Sequence, residues 1–173
     1  MAPYKSHIDL PDEYFRLIGI ISAQWEYVEV ALERAVAEIG GHKYSRVGLL
    51  TANLGFQTKA DLIMAYGRAL QTSKPAEWAA LKKVLKGLKD AYTLRNTYVH
   101  AKWFMPKKKG SLPTRSVVRT KGGNLNIADV PTTTEQMAIA AENIHTAGDE
   151  FVKLMNSFAL LLPKKKKPRG KRV

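Results

Sequence analysis

The sequence contains no cysteine, which excludes disulfide scaffolds, thiolate metal sites and catalysis by a cysteine nucleophile. Long apolar runs are also absent, since no window approaches the roughly 18 residues that a membrane-spanning helix needs. The N-terminal segment carries Asp9, Asp12 and Glu13 and lacks the apolar stretch of a secretory signal. We therefore expect a cytoplasmic protein with no membrane partner.

Acidic residues are absent from two stretches that are rich in lysine and arginine, residues 102–128 and 163–173. These stretches hold half of the 28 basic residues and none of the 15 acidic ones, so they account for the net charge of +13. Segregation of this kind favours a polyanionic partner, for which nucleic acid is the best candidate. The alternative is a solvated loop and a tail that only aid solubility. The candidate nucleic-acid-binding residues are Lys102, Lys107, Lys108, Lys109, Arg115, Arg119 and Lys121, together with Lys164, Lys165, Lys166 and Lys167.

The chain of 173 residues has the length of one domain, which buries roughly two-thirds of its unfolded surface on folding. Apolar residues make up 45% of the sequence and charged residues 25%, as in folded proteins rather than disordered ones. We expect a single domain over residues 1–162 and a basic, disordered tail over residues 163–173.

Apolar residues recur at three- and four-residue steps in the first part of the chain, which is the period of an amphipathic helix. The first predicted helix extends from about Asp12 to Ile39, and its apolar face begins with Phe15 and Ile18. Gly40 and Gly41 provide its stop.

Residues 44–72 are less regular and predict a short helix, a turn near Gly55 and a second helix from Thr58. A third long helix is predicted from Pro75 to about His100.

The chain then changes to β-prone runs at residues 116–120 and 124–127, and the glycine pair between them is a hairpin-turn signal. A final helix is predicted from Thr133 or Thr134 to about Leu162. We therefore predict an all-α fold, an antiparallel four-helix bundle with a basic β-hairpin insertion at about residues 102–131 between the third and fourth main helices.

The end of the third long helix carries the strongest chemical signature of the chain, Arg95-Asn96-Thr97-Tyr98-Val99-His100. The sequence has no glycine-rich phosphate loop, paired-histidine zinc motif or serine nucleophile elbow. Asn96 and His100 share one helix face, and the Arg95 side chain can span the rise of roughly 7.5 Å that separates it from His100. An arginine beside a histidine can hold a phosphate and move a proton. The alternative is that both side chains only complement the helix dipole.

This hexapeptide resembles the Arg-x(4–6)-His motif of the HEPN superfamily, in the common form with asparagine directly after the arginine. The surrounding pattern is similar as well, because Trp25-Glu26 and Glu29 lie in a long first helix and the segment 56–61 precedes the next one. The resemblance covers residues 14–100 and the last helix, whereas residues 102–131 are an addition.

The resemblance implies a homodimer in which two such motifs face one cleft, and a metal-independent endoribonuclease that acts on RNA as a toxin, phage-defence or RNA-processing enzyme. Arg95 would bind the phosphate, His100 would be the general base or acid, and Asn96 would orient one of them or cap the helix end. The dimer would supply a second proton-transfer group. No metal or cofactor is expected, and an antitoxin protein is a further expected partner.

Two other residues are candidates for supporting roles. The resemblance implies that Glu29 orients Arg95, and a surface glutamate is the alternative. Tyr98 lies on the same side of the helix as Arg95, where stacking on a base and packing within the bundle or dimer are both compatible with the sequence. The alternative function for the whole chain is a non-catalytic nucleic-acid-binding or protein-interaction module, in which Arg95 and His100 are structural.

Overall fold

A computed structural model describes residues 10–40, 44–51, 53–68, 70–105, 110–121 and 124–159. The chain is mostly helical, as its apolar periodicity predicts, and it also contains a three-stranded antiparallel sheet. None of the helices in these ranges is both long and apolar enough to cross a membrane. The elements in chain order are α1 (Asp12–Ile39), α2 (Tyr44–Thr51), α3 (Phe56–Gly67), α4 (Leu70–Ser73), α5 (Pro75–Val99), β1 (Lys102–Phe104), β2 (Thr114–Lys121), β3 (Asn124–Pro131) and α6 (Thr134–Ala159).

Helix α1 has the predicted bounds, and its buried face repeats at three- and four-residue steps. The first turn carries Asp12 and Glu13, whose negative charges are favourable at the positive end of the helix dipole. The sequence predicts that Phe15 begins the apolar face, but Phe15 is 38% exposed. The buried stripe of α1 begins one residue earlier, at Tyr14. The buried residues of this stripe are Tyr14, Leu17, Ile21, Trp25, Val28, Leu32, Ala35 and Val36.

Helix α5 begins at Pro75, whose fixed φ angle suits the first position of a helix. It ends one residue before His100, whose backbone N–H donates to the carbonyl of Asn96 at 3.4 Å. Helix α6 begins with a capping box, in which the backbone N–H of Thr133 donates to Oε1 of Gln136 at 3.0 Å. The backbone N–H of Gln136 donates in return to Oγ1 of Thr133 at 3.2 Å.

The long helices α1, α5 and α6 each pack against the other two, and α3 packs against α1 and α5. Helix α6 approaches α1 closely at Gly148, where an added Cβ would lie 3.0 Å from Cγ2 of Val28. This packing fixes the position of α5 within the helical body. The largest fully buried apolar side chains are Phe151, Ile21, Leu32, Ile63, Leu81, Leu88, Met137 and Ile144.

The sheet has the strand order β1-β2-β3, so the predicted hairpin is present and is joined by one further strand, β1. Strand β1 is anchored by Trp103, which is buried edge-on against Tyr14 with ring centroids 5.9 Å apart. The indole N–H of Trp103 also donates to the backbone carbonyl of Tyr98 at 3.2 Å. Directly after β3, the carbonyl of Thr132 accepts from the Tyr14 hydroxyl at 2.7 Å. These contacts hold the sheet against the start of α1 and the end of α5.

Candidate active site

The motif residues Arg95, Asn96 and His100 meet at the last turn of α5. Nη1 of Arg95 donates to Oδ1 of Asn96 at 2.9 Å and also contacts Nε2 of His100. A guanidinium group can only donate, so Nε2 of His100 can act as the acceptor in this contact when the ring proton is on Nδ1. The asparagine side chain therefore binds Arg95, and the structure brings all three predicted residues together.

Asn96 and His100 line an open groove of about 320 Å³, which we call the His100 groove. Its other wall is strand β2, through Arg115 and Ser116. No carboxylate lines this groove in the described part of the chain. Asp129 is nearby, since it accepts a hydrogen bond from the Ser116 hydroxyl at 2.7 Å. The described lining of the groove thus includes one imidazole, that of His100, and one guanidinium group, that of Arg115.

Two arginines at this groove each keep a buried Nε–H without an acceptor among the described residues, Arg95 and Arg115. A buried donor without a partner costs about 1–3 kcal/mol, and native structures contain few of them. Neither guanidinium forms an ion pair with a described carboxylate. Both side chains therefore keep a hydrogen-bond donor that the described residues leave unsatisfied.

Tyr98, a predicted supporting residue, is buried at 8% exposure. The guanidinium of Arg115 lies over its ring, with the guanidinium carbon 5.5 Å from the ring centroid. Burial and this cation–π contact make Tyr98 a packing residue that positions Arg115. This corresponds to the packing interpretation of Tyr98.

Glu29 contacts a different cation from the one that the resemblance implies. Its carboxylate accepts from Nζ of Lys59 at 2.6 Å and from the indole N–H of Trp25 at 3.0 Å. Lys59 also donates to Glu33 at 3.0 Å, and its side chain is only 3% exposed. Burial alone lowers the pKa of Lys59, but the hydrogen bonds and charges of the two carboxylates outweigh burial and raise the pKa above its usual value.

This buried ion-pair cluster reaches the His100 groove through aromatic rings. Trp25 packs against Tyr92 with ring centroids 5.3 Å apart, and Phe56 stacks on Tyr92 at 4.9 Å. Tyr92 in turn lines the His100 groove. Glu29 is thus linked to the groove indirectly, through Trp25 and Tyr92, and its described contacts do not include Arg95.

The predicted nucleic-acid-binding residues are described only in part. Lys102 is exposed on β1, and Arg115 is partly buried on β2. Arg119 and Lys121 belong to β2, but their side chains lie outside the described residues. The predicted tail, residues 163–173, lies outside the described residues. The same holds for the remaining candidate lysines, which are Lys107, Lys108, Lys109, Lys164, Lys165, Lys166 and Lys167.

The described residues contain no group of three or more histidine, aspartate or glutamate side chains arranged to hold a metal ion. Of the other histidines, His145 contacts Gln24 at 3.1 Å and Asp149 at 3.7 Å on α6, away from the motif. His7 and His42 lie outside the described residues.

Comparison of the chain with family models, with curated proteins and with solved structures gives no match.

Proposed function

We propose that this chain is a metal-independent endoribonuclease of the HEPN type. The observation that supports this proposal most directly is the contact of Arg95 Nη1 with both Asn96 and His100, beside an open groove whose described lining contains no carboxylate. The arrangement combines a phosphate-binding cation with a group that can accept a proton. Both are needed for RNA cleavage by the neighbouring ribose hydroxyl.

In the proposed reaction, the ribose 2′-oxygen attacks the adjacent phosphorus and the bond from phosphorus to the 5′-oxygen breaks. Nε2 of His100 takes the 2′-hydroxyl proton, and a second group gives a proton to the 5′-oxygen. The products are a 2′,3′-cyclic phosphate and a 5′-hydroxyl. Arg95 stabilises the negative charge that develops on the phosphoryl oxygens.

This mechanism requires Arg95 to change partners when RNA binds. In the free protein its Nη1 donates to Oδ1 of Asn96 and contacts Nε2 of His100. A phosphate is a stronger acceptor because it carries a full negative charge. Binding of the phosphate to Arg95 would release Nε2 of His100 for proton transfer.

The second proton-transfer group is proposed to be His100 of a partner subunit. Each chain brings one histidine to its motif, and the His100 groove is open to the surface. We propose an antiparallel four-helix bundle formed by α1, α3, α5 and α6 that dimerises with its two motifs facing each other. In the cytoplasm such an enzyme would act as a toxin or phage-defence effector, restrained by an antitoxin protein.

The test is cleavage of a single-stranded RNA in EDTA, comparing the wild type with His100→Ala. The variant is expected to lose activity by a factor of about 10² to 10⁴ while folding normally, because a proton-transfer group contributes that much to rate. His145→Ala, which removes a histidine from α6 away from the motif, is the matched control and should retain full activity. The wild-type products should carry 2′,3′-cyclic phosphates.

Two results would overturn the enzymatic proposal. One is wild-type protein that binds RNA without cleaving it, which would favour the non-catalytic binding module. The other is His100→Ala protein that cleaves at the wild-type rate. Unfolding of His100→Ala would assign the histidine to the core instead, and folding is checked by the thermal transition of each variant.

A further inference from the structure

A second groove adjoins the His100 groove, and both share one side chain, that of Arg115. This second groove has a volume of about 250 Å³ and lies where the end of α5 and the sheet meet the first turns of α6. Besides Arg115, its lining includes Tyr98, Gln136, Ile139 and Asn143. We call it the Ile139 groove.

We propose that the Ile139 groove binds the nucleobase next to the phosphate that Arg95 and His100 hold, so that it selects which nucleotide is cleaved. The inference rests on the proposed function for its ligand class, which is RNA. Arg115, which lines both grooves, would contact the nucleotide between its base and its phosphate.

The charge of the two grooves favours a nucleotide as their common ligand. Neither has a carboxylate in its described lining, and both include Arg115. Two other surface grooves differ in this respect, since one is lined by Glu38 and the other by Asp61. A ligand that spans the two grooves therefore lies beside the positive charge of Arg115, and no carboxylate in the described lining repels it.

The chemistry of the Ile139 groove suits a nucleobase. Its apolar part includes Ile139, which is 61% exposed and so available to pack against a flat ring. Asn143 follows Gln136 by seven residues, which places the two amides on the same face of α6. Amide side chains hydrogen-bond the edges of unstacked bases, and apolar side chains cover their faces.

The positions of two polar side chains in this groove are set by the fold. Oε1 of Gln136 is held by the backbone N–H of Thr133 at 3.0 Å, which leaves its Nε2 group as the donor for a ligand. Arg115 lies over the Tyr98 ring, and its buried Nε–H lacks an acceptor among the described residues. Side chains that are held in place in the free protein lose less entropy on binding.

The first experiment measures binding to the wild-type chain by calorimetry, with the four nucleoside 3′-monophosphates and inorganic phosphate as probes. At least one nucleotide is expected to bind at least about tenfold more tightly than phosphate, because its base adds contacts. Asn143→Ala should weaken that nucleotide about fivefold, the size of one lost hydrogen bond, and leave phosphate binding unchanged. Ile139→Ala should weaken all nucleotides. Thr146→Ala, an exposed and uncharged position on the same helix, is the matched control.

The second experiment measures kcat/KM for four RNA oligonucleotides that differ only in the base 5′ to a single cleavable bond. The wild type should discriminate among them, and Asn143→Ala should reduce that discrimination, whereas Thr146→Ala should not. Equal cleavage of all four by wild type and Asn143→Ala would overturn the base site while leaving the enzyme proposal intact. Nucleotide binding that depends on Asn143, in a protein that does not cleave RNA, would support the base site and overturn the enzyme proposal.

Two further results would also overturn the base site. In the first, all four nucleotides bind with the affinity of inorganic phosphate. In the second, Ile139→Ala changes the sedimentation coefficient and leaves nucleotide binding unchanged, which would assign the exposed isoleucine to contact with a second copy of the chain.

Discussion

The Lys59 cluster and the Arg95 cluster each contain a cation, but the partners of the two cations differ. Lys59 donates to the carboxylates of Glu29 and Glu33 at 2.6 and 3.0 Å, and its side chain is 3% exposed. Arg95 has no carboxylate partner among the described residues, where its side chain contacts Asn96 and His100 beside an open groove. The charge of Lys59 is compensated within the fold, so that losing either partner leaves an uncompensated charge, whereas a cation without a carboxylate at a groove is available to an anionic ligand.

The largest expected effect is on stability, from breaking the compensated cluster. Lys59→Met should lower the free energy of unfolding by about 3–5 kcal/mol, because Glu29 and Glu33 lose their shared partner in a partly buried position. Urea denaturation measures the change. Lys86→Met, at an exposed lysine of α5, is the control and should change stability by less than about 0.5 kcal/mol. An equally small effect of Lys59→Met would remove the distinction between the two clusters.

In the Arg95 cluster, substitution of the cation should lower the turnover of RNA and leave the free energy of unfolding almost unchanged. Arg95→Lys keeps the charge but loses the planar fork of donors, so kcat for RNA cleavage should fall by about 10² to 10³. The free energy of unfolding should change by no more than about 0.5 kcal/mol. Arg68→Lys, at an exposed arginine after α3, should leave both quantities unchanged. A large loss of stability in Arg95→Lys would show that Arg95 is structural.

A smaller effect is expected from pH. The pKa of Lys59 is raised in the folded chain above its usual value of 10.5, because the two carboxylates outweigh the effect of burial. Lysine charge therefore contributes its full stabilisation below about pH 10.5, and this contribution is lost as pH rises through the higher folded pKa. The stability difference between wild type and Lys59→Met should be constant from pH 7 to 10 and shrink above that range. A difference that shrinks already between pH 7 and 9 would contradict the raised pKa.

The smallest effect on either cluster is expected from deleting residues 163–173. The deletion removes seven basic residues, and each phosphate contact contributes about −0.7 to the slope of log affinity against log salt for single strands. RNA binding should become weaker and less dependent on salt, while stability and kcat at saturating RNA stay near wild-type values. Titrations at several salt concentrations test this prediction, which an unchanged slope would refute.

The positions of Arg95, Asn96 and His100 relative to one another could be predicted from the sequence because Arg95 and Asn96 lie near the end of α5 and His100 directly follows its last residue. Helical geometry alone determines which of them share a face. Their roles in RNA cleavage remain predictions. The partner of Lys59 could not be predicted, because Glu29 is 30 residues away on another helix and their contact depends on how α1 packs against α3.

The predicted bounds of α1 and α5 and the predicted start of α6 agree closely with the structure, and the predicted end of α6 near Leu162 lies outside the described residues. The residue that begins the buried face of α1 and the existence of strand β1 were not predicted. Tyr14 and Phe15 are both aromatic, so periodicity alone did not show which of them is buried. Strand β1 is only three residues long, and Trp103 is buried there because Tyr14 packs against it. The position of Arg115 also depends on how the sheet docks, which a single sequence does not specify.

Tyr14 touches both ends of the excursion that the chain makes between α5 and α6. Its ring packs on Trp103 at the beginning, and its hydroxyl donates to the carbonyl of Thr132 at the end. Burial, with the negative charge of Glu135, raises the pKa of this hydroxyl, so it remains a donor well into alkaline solution. Tyr14 thus holds the two ends of this loop close together, and the entropy cost of closing a loop rises only slowly with its length. The hairpin can therefore lengthen, shorten or be exchanged during evolution at little energetic cost, provided that Trp103, Thr132 and the wall of the His100 groove are kept.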